Sequence, residues 1–360
     1  MQTPLLFALP LAALLGACSA PVDPARGRGG SGGSNDTGGA SSDTGTIDTD
    51  TGTIDTDTGT TDTGTIDTGT IDTGTADTGT TDTTPTSPVI EIATWNTARF
   101  FDRVCDSGRC DAAQNDYEEL PSAAQFQYKT SQLATGITRQ DADIMLLQEV
   151  ESQDCIDALI AALPAGRWPV AVLGEMGQDA SVDVAVLADG ELVDVIRHRN
   201  VPLPLPSGGS TTFTREFLEV ELLIQGRPVI VFSAHFRSKS NDDPARRLAE
   251  GRAAAAIVAA SAAASPDALV VLGGDLNDTP DSEPLLALTS PGILTRVAAD
   301  IAPNDWTYAF NSQRDAIDHL LIATTASGSY LPGSATVLRD ATGGLLTSDH
   351  ASLRASFYLP

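Results

Sequence analysis

Beyond residue 88, the chain combines short apolar runs with longer amphipathic stretches. Eight runs rich in Val, Ile and Leu predict β-strands, and three stretches with apolar residues at helical spacing predict α-helices. The strand sequences are VIEIATWN, ADIMLLQEV, VDVAVLA, FLEVELLI, PVIVFSAHF, ALVVLGGDLN, AIDHLLIA and ASLRASFYL, and the helical ones are AAQFQYKTSQLATGITRQ, QDCIDALIAALP and PARRLAEGRAAAAIVAASAAA. This mixture predicts one α/β domain over residues 89–360, in which helices cover sheets.

The first eighteen residues (1–18) have the pattern of an export signal. Leu5 to Ala17 form an apolar run that is too short to span a bilayer but has the length of a signal-peptide core. The run ends in Leu15-Gly16-Ala17-Cys18, which resembles a bacterial lipobox, whose cysteine is lipidated after cleavage. We therefore expect an exported protein of the bacterial cell envelope, either secreted or held at the membrane by a lipid on Cys18. An ordinary export signal with a chance cysteine is the alternative.

Residues 19–88 consist largely of Asp, Thr and Gly in repeats of the form DTGTI. These residues bury little apolar surface and favour turns, so the segment predicts a disordered linker. Calcium binding by the repeated aspartates is the alternative. The repeats lack an Asp-x-Asp-x-Asp-Gly loop with a closing Glu, which favours the linker.

The negative charge extends into the predicted domain. The formal net charge is -27, and residues 1–88 contribute twelve Asp against Arg26 and Arg28, or -10, which leaves -17 for the remainder. Such an acidic domain is poorly suited to binding nucleic acid through its own cations alone. An enzyme with a bound metal ion remains compatible, because the ion supplies positive charge at a reacting phosphate.

Three cysteines follow Cys18, at positions 105, 110 and 155. In an exported protein, Cys105 and Cys110 would close a small loop around the turn CDSGRC. Cys155 is then left over, and the sequence leaves open its pairing with either of the other two. A zinc site is not expected, since no histidine lies at ligand spacing nearby.

Polar residues cluster where predicted strands end, which is where loops gather and sites are built. The segment GGDLNDT directly follows the apolar run DALVVL, and it presents Asp275 and Asn277 on the same side of extended backbone. This pair fits a site for a hard cation or an activated water. An Asx-rich turn that closes the strand is the structural alternative.

Six segments, in order, resemble the motifs of the endonuclease/exonuclease/phosphatase superfamily, which includes pancreatic deoxyribonuclease, abasic-site endonucleases, inositol phosphatases and bacterial sphingomyelinases. They are ATWNTARFF, DIMLLQEV, SAHFRSK, GGDLND, AIDHLLI and TSDHASL. The resemblance implies an α/β fold, a four-layer sandwich of two mixed β-sheets flanked by helices. It also implies a metal-dependent phosphodiester hydrolase with the nearest likeness to secreted bacterial nucleases.

The same resemblance implies a metal site at the strand ends. Glu149 matches the principal Mg²⁺ ligand, Asn96 matches the asparagine beside it, and Asp349 matches a further carboxylate on the metal side. Mg²⁺ takes few protein ligands and keeps waters and phosphate oxygens. We expect Mg²⁺, with Mn²⁺ and Ca²⁺ as alternatives, and a solvated strand-end carboxylate is the alternative for Glu149 considered alone.

Five residues acquire catalytic roles from the resemblance. Asp275 orients or deprotonates the attacking water, and Asn277 helps to bind the phosphate and the water. His350 contacts the scissile phosphate, and Asp318 orients its ring. His235 stabilises charge on the transferring phosphate or on the leaving oxygen. Metal-assisted in-line attack of water on a phosphodiester needs this combination of groups.

Nucleic acid is the expected substrate, because HFRSKSNDDPARRLAEGRAAA and WTYAFNSQRDAIDHLLIA resemble the corresponding stretches of secreted bacterial nucleases. Residues 233–252 carry five basic against three acidic side chains, a local charge of +2. Arg237 and Lys239 are the expected substrate-binding residues of this patch. The charged face of a surface helix is the alternative. The sequence implies no protein partner.

Two other functions remain open. An exported phosphatase or phospholipid phosphodiesterase of the same superfamily comes second, although no aromatic membrane-inserting hairpin of the sphingomyelinase kind is evident in the sequence. A surface binding module without catalysis comes third, and the full set of matched residues argues against it. The sequence leaves open the choice between DNA and RNA, internal or terminal cleavage, and the oligomeric state.

Overall fold

The structure is a computed structural model that describes residues 87–360. The predicted signal sequence with Cys18, and the predicted linker up to residue 86, lie outside the described residues. Within the described range, no helix combines the length and the apolar character that crossing a membrane requires.

Residues 87–360 form seventeen strands and four α-helices. The strands are β1 Val89–Phe100, β2 Ile144–Val150, β3 Val170–Leu173, β4 Asp183–Ala188, β5 Glu191–Arg197, β6 Leu203–Pro204, β7 Ser210–Thr211, β8 Leu218–Ile224, β9 Arg227–His235, β10 Leu269–Asp275, β11 Leu294–Arg296, β12 Tyr308–Phe310, β13 Gln313–Asp315, β14 Asp318–Ala323, β15 Ser329–Tyr330, β16 Thr336–Leu338 and β17 Ser352–Tyr358. The helices are α1 Ala123–Gln140, α2 Gln153–Ala162, α3 Pro244–Ala264 and α4 Glu283–Thr289, and short 3-10 helices occupy Ala112–Gln114 and Val297–Ile301.

The larger strands form two mixed sheets. The first has seven strands in the order β15-β17-β1-β2-β4-β3, with β16 also paired to β17, and the second has six in the order β11-β14-β10-β9-β8-β5. The pairs β1–β2 and β9–β10 are parallel, whereas the other pairs in these sheets are antiparallel. Each parallel pair brings the carboxyl ends of two strands to the same edge of its sheet.

Three apolar cores separate the layers. One contains side chains from both large sheets, a second joins α3 and α4 to the second sheet, and a third joins α1 and α2 to the first sheet. Strand β1 shows the alternation that this requires, because Ile90 and Ile92 face the core between the sheets while Ala93 and Trp95 face the helices. The predicted four-layer α/β sandwich is confirmed.

Clear N-cap residues help to explain why the predicted helices α1 and α3 match the structure residue for residue. Ser122 caps α1 by accepting a hydrogen bond from the Gln125 amide, and Asp243 caps α3, whose first residue is Pro244. The sequence patterns missed α4 and nine strands, all of which except β5 have only two to four residues: β3, β5, β6, β7, β11, β12, β13, β15 and β16. Strand β5 has mostly exposed residues on both faces, so it lacks apolar alternation, and α4 has only seven residues.

The cysteine pairing that the sequence left open is resolved. Cys105 and Cys110 form a disulfide, and Cys155 is a free, buried thiol whose Sγ lies 3.1 Å from the carbonyl oxygen of Phe100. Cys105, Cys110 and Glu118 lie close enough to hold a metal ion, but the disulfide removes the thiolates that would bind one.

Burial predicts an unreactive thiol at Cys155, because it raises the pKa of this group to about 12. At pH 8 the native thiol should be alkylated by iodoacetamide roughly 10³-fold more slowly than an exposed cysteine. Mass spectrometry of the Cys155 peptide, after labelling with and without urea, measures the difference. Rapid labelling of the folded protein would contradict the buried position.

Candidate active site

Strand pairing in the second sheet brings three titratable side chains together. Parallel strands β9 and β10 end side by side at His235 and Asp275, and antiparallel β14 begins with Asp318 directly opposite Asp275. In the first sheet, parallel β1 and β2 pair regularly up to Asn96 and Gln148, and the register is interrupted at Glu149 before it resumes at Phe100 and Val150. One parallel pair from each sheet therefore supplies the site.

The two glycines before Asp275 are needed for packing within the protein. A Cβ on Gly274, whose φ is +152°, would lie 1.9 Å from the Ala234 carbonyl oxygen. A Cβ on Gly273 would lie 2.5 Å from a methyl carbon of Leu146 in the first sheet. The space left by the two glycines is therefore filled by the neighbouring strand β9 and by the facing sheet.

Glu149 is aimed into the site by an irregularity of β2. It is the extra residue of a β-bulge between β2 and β4, and it has a left-handed φ of +63°. Its Oε2 accepts a hydrogen bond of 2.8 Å from the amide of Arg99, which also has a positive φ. The bulge turns the carboxylate away from the regular strand direction, and sequence periodicity does not predict it.

Asn96 links the two sheets at the centre of the site. Its Nδ2 donates to Asp275 Oδ2 at 3.0 Å and to Glu149 Oε1 at 3.3 Å, while its Oδ1 accepts from the Ala98 amide at 2.9 Å. The side chain thus holds two carboxylates from different sheets in place. Its amide nitrogen faces them, so its expected role as a metal ligand stays a prediction.

His350 forms a charged pair with Asp318. His350 Nδ1 donates to Asp318 Oδ2 at 2.8 Å, and His350 Nε2 lies 3.9 Å from Asp275 Oδ2. Burial lowers the pKa of His350, but Asp318, Asp275 and Asp349 outweigh burial and raise it to about 10. The imidazole is therefore protonated at neutral pH, and its Nε2 is a donor.

His235 has the opposite ionisation. Its Nε2 lies 3.6 Å from Asp275 Oδ2 and 3.9 Å from Glu149 Oε1, and its buried Nδ1 has no hydrogen-bond partner among the described residues. Burial, together with the positive charges of Arg215 and His350, holds the pKa of His235 well below its usual value. One neutral and one charged imidazole thus flank Asp275.

The buried carboxylates of the site have too few positive charges beside them to balance their negative charge. Burial and the neighbouring Asp318 raise the pKa of Asp275 to about 7, and one buried oxygen of Asp318 has no hydrogen-bond partner within residues 87–360. Asp275, Asp318 and His350 offer ligand atoms within 4.8 Å of one another. Because a protonated imidazole is a poor ligand, a cation fits better against the carboxylates on the Glu149 side.

These groups lie at the floor of an open cleft with a volume of about 1160 Å³. Asn96 and Asp318 are buried behind the floor, while Asp349 is exposed on the cleft wall. The residues of the predicted site that line the cleft are Glu149, His235, Arg237, Lys239, Asp275, Asn277, Asp349 and His350. Of the predicted site, only Cys18 lies outside the described residues.

The predicted basic patch is smaller than its sequence suggested. Arg247 is buried, with ion pairs of 2.7 Å to Asp242 and 2.9 Å to Asp278. Lys239 reaches the cleft but also pairs with Asp278 at 2.9 Å. Much of the local positive charge thus holds the segment together, and Arg237 and Lys239 are its members on the cleft wall.

Sequence reasoning missed three residues near the site. Arg215 lines the cleft and has no carboxylate partner among the described residues. The Tyr308 ring lies 4.9 Å from that of His350. Lys129 Nζ donates to the carbonyl oxygens of Ala98 and Thr347, which joins the end of β1 to the loop between β16 and β17. Tyr308 lies within the quoted stretch WTYAFNSQRDAIDHLLIA without an assigned role, and Arg215 and Lys129 lie outside the six motifs, because their positions depend on distant segments.

His319 is a structural residue. Its Nδ1 accepts a hydrogen bond of 2.9 Å from Arg296 Nε, and its Nε2 donates to the Asp278 carbonyl oxygen, also at 2.9 Å. Both ring nitrogens are therefore used within the protein. Burial and the charge of Arg296 lower the pKa of His319 to about 4.

Comparison with known proteins supports the same fold. A profile described as the Endonuclease/Exonuclease/phosphatase family matches residues 93–350. No match was found among curated proteins.

Solved structures share this architecture at low sequence identity. An endonuclease/exonuclease/phosphatase from Bacteroides vulgatus is 16% identical, with a TM-score of 0.55, over 76% of this chain and 100% of that one. TDP2 from C. elegans is 17% identical, with a TM-score of 0.52, over 75% of both chains. D. rerio TDP2 complexed with single strand DNA product is 16% identical, with a TM-score of 0.52, over 75% of this chain and 99% of that one.

Acid should destabilise the fold partly through His319. The unfolded imidazole titrates near 6.5 and the folded one near 4, so the unfolded state binds more protons between these values. The free energy of unfolding should fall by up to about 3 kcal/mol as pH drops through this window. Urea unfolding in EDTA at pH 7 and pH 4.5 should show a smaller loss for His319→Gln than for the wild type. Equal losses would contradict this assignment.

Proposed function

The chain belongs to the Endonuclease/Exonuclease/phosphatase family, which includes metal-dependent phosphodiesterases and nucleases, and on this premise we propose that it hydrolyses phosphodiester bonds of nucleic acid. One observation carries the proposal. Asp275 lies between neutral His235 and the charged His350–Asp318 pair, beside Glu149, at the floor of an open cleft. This arrangement provides a base for water and donors for a phosphoryl group.

Asp275 is suited to take the proton of the attacking water. Its pKa of about 7 suits a general base at neutral pH, because a base works best when its pKa lies near the pH of the reaction. The backbone N–H of Asn277 donates to Asp275 Oδ1 at 2.9 Å, and the side-chain Nδ2 of Asn96 donates to Oδ2 of the same carboxyl group. These two hydrogen bonds fix the carboxyl plane, so a water would meet an oriented base.

The two histidines serve different oxygens of the phosphate. His350 is charged, and its Nε2 can donate to a non-bridging phosphoryl oxygen while Asp318 holds its Nδ1. His235 is neutral and faces Asp275 from the neighbouring strand, so it suits the leaving oxygen. Asn277 lines the cleft, where its side chain can support the bound phosphate or water.

The donor set fits a hard divalent cation, and we propose Mg²⁺. Glu149 and Asp349 would hold it, with Asn96 orienting Glu149 from behind. The excess of buried carboxylate over positive charge supports this assignment, since a buried carboxylate without a compensating cation is costly. When bound, the ion would polarise a phosphoryl oxygen and offset the charge that develops there.

A polymeric substrate suits the cleft better than a small phosphate ester does. The cleft is open, and its walls carry the cations Arg99, Arg215, Arg237 and Lys239 beside an acidic floor. Cations placed away from the reacting centre can contact phosphates that flank the scissile one. The sequence of residues 1–18 supports a further proposal, that the enzyme is exported and anchored through Cys18 or secreted.

Hydrolysis of four substrates tests the reaction class. Plasmid DNA, RNA, bis-p-nitrophenyl phosphate and p-nitrophenyl phosphate should be incubated with the protein in Mg²⁺ and in EDTA. We expect cleavage of a nucleic acid and of the diester in Mg²⁺ only. Release from the monoester alone would indicate a phosphatase. No reaction with any of the four would favour a phospholipid diesterase or a binding module.

Two substitutions test the proposed roles. Asp275→Asn and His350→Gln should each lower kcat for the diester by roughly 10³-fold, because each removes a proton-transfer or charge-stabilising group. Asp281→Asn is the matched control, since Asp281 is exposed and does not line the cleft. Circular dichroism should show that all three variants fold. Full activity of either site variant would rule out the proposed mechanism.

A further inference from the structure

The loop between β1 and α1 is fixed at the side of the cleft. The Cys105–Cys110 disulfide closes part of it, and Glu118 is buried beneath it. The Glu118 carboxylate accepts hydrogen bonds from the amides of Asp106 and Ser107, at 2.7 and 2.8 Å. These contacts fix the loop around Glu118 and so fix its neighbours Tyr117 and Glu119.

Tyr117 is the residue that this loop presents to the cleft. Its side chain lines the cleft, and the residue is 49% exposed. The ring packs edge-on with buried Phe101 at 5.9 Å, and the Arg99 guanidinium lies 5.0 Å from the ring centroid. Glu119 pairs with Arg99 at 3.4 Å and so helps to orient that cation. The ring is therefore held in place while much of its surface faces solvent.

Two exposed aromatic side chains line this cleft. Among the large apolar side chains that are exposed in residues 87–360, only Tyr117 and Phe310 line the cleft. Both are aromatic, and they come from separate elements, the β1–α1 loop and the β12–β13 hairpin. An exposed aromatic ring beside a cation attracts flat, conjugated groups. Nucleobases stack on such rings largely independently of the nucleic-acid sequence.

We propose that Tyr117, steadied by Arg99 and the disulfide-closed loop, is a stacking subsite for a nucleobase of the substrate. This inference rests on the proposed nuclease function and deepens it. The base belongs to a nucleotide next to the scissile phosphate or farther along the strand. Since stacking needs an accessible base face, the subsite favours single-stranded or locally unpaired nucleic acid.

Kinetics with base-bearing and base-free substrates test the subsite. We would compare wild type, Tyr117→Ala, Tyr117→Phe and Tyr128→Ala on an oligo-dT strand and on the same strand with abasic residues, which offers no ring to stack. Tyr128 is a matched control, since it is 60% exposed but does not line the cleft. Tyr117→Ala should raise KM for oligo-dT by about 10-fold, the loss of one stacking contact.

The other measurements separate stacking from a structural role. Tyr117→Ala should leave KM for the abasic strand unchanged, and Tyr117→Phe should match the wild type on both strands. Equal losses by Tyr117→Ala on the two strands, or an unchanged KM for oligo-dT, would reject the subsite alone. Failure of the wild type to cleave either oligonucleotide would reject the proposed function and the subsite with it.

Discussion

The site depends on the close approach of strands β9 and β10 at Gly274. Because that residue has no side chain, β10 can lie against the backbone of Ala234 in β9, where a Cβ would collide with the carbonyl oxygen. The resulting register sets His235 on one side of Asp275 and Asp318 on the other. Asn96 then joins this sheet edge to Glu149 in the other sheet. Regular strand pairing thus places His235, Asp275 and Asp318, while the bulge in β2 places Glu149.

The close packing of several carboxylates determines the protonation states of the site residues. Asp318 draws a proton onto His350, while His235, which is buried and near two positive charges, stays neutral. Asp275 is left with a raised pKa, because it is buried and because the negative charge of Asp318 lies beside it. A divalent cation would relieve this excess and would also let an acidic domain accept a polyanion. The negative composition of the chain is therefore compatible with a phosphodiester substrate.

The sequence predicted the elements well where local signals were strong. Capped helices such as α1 and α3 and apolar strands buried on both faces were found, and the ends of β9, β10 and β14 carried the expected polar residues. Features that arise between distant segments were not predictable. The bulge at Glu149, the amide direction of Asn96 and the use of Arg247 in internal ion pairs depend on partners far along the chain. The positions of Arg215 and Tyr117 on the cleft wall depend on tertiary structure in the same way.

Binding of Mn²⁺, followed by electron paramagnetic resonance, tests most directly whether the carboxylates at the cleft floor form a cation site. Wild type, Glu149→Gln and Glu119→Gln should be titrated. Glu119 is a matched control because it lines the same cleft but is exposed and pairs with Arg99. The structure predicts a bound ion in the wild type and in Glu119→Gln, and an affinity at least about 10-fold weaker in Glu149→Gln. Equal binding by all three proteins, or no binding by the wild type, would contradict the site.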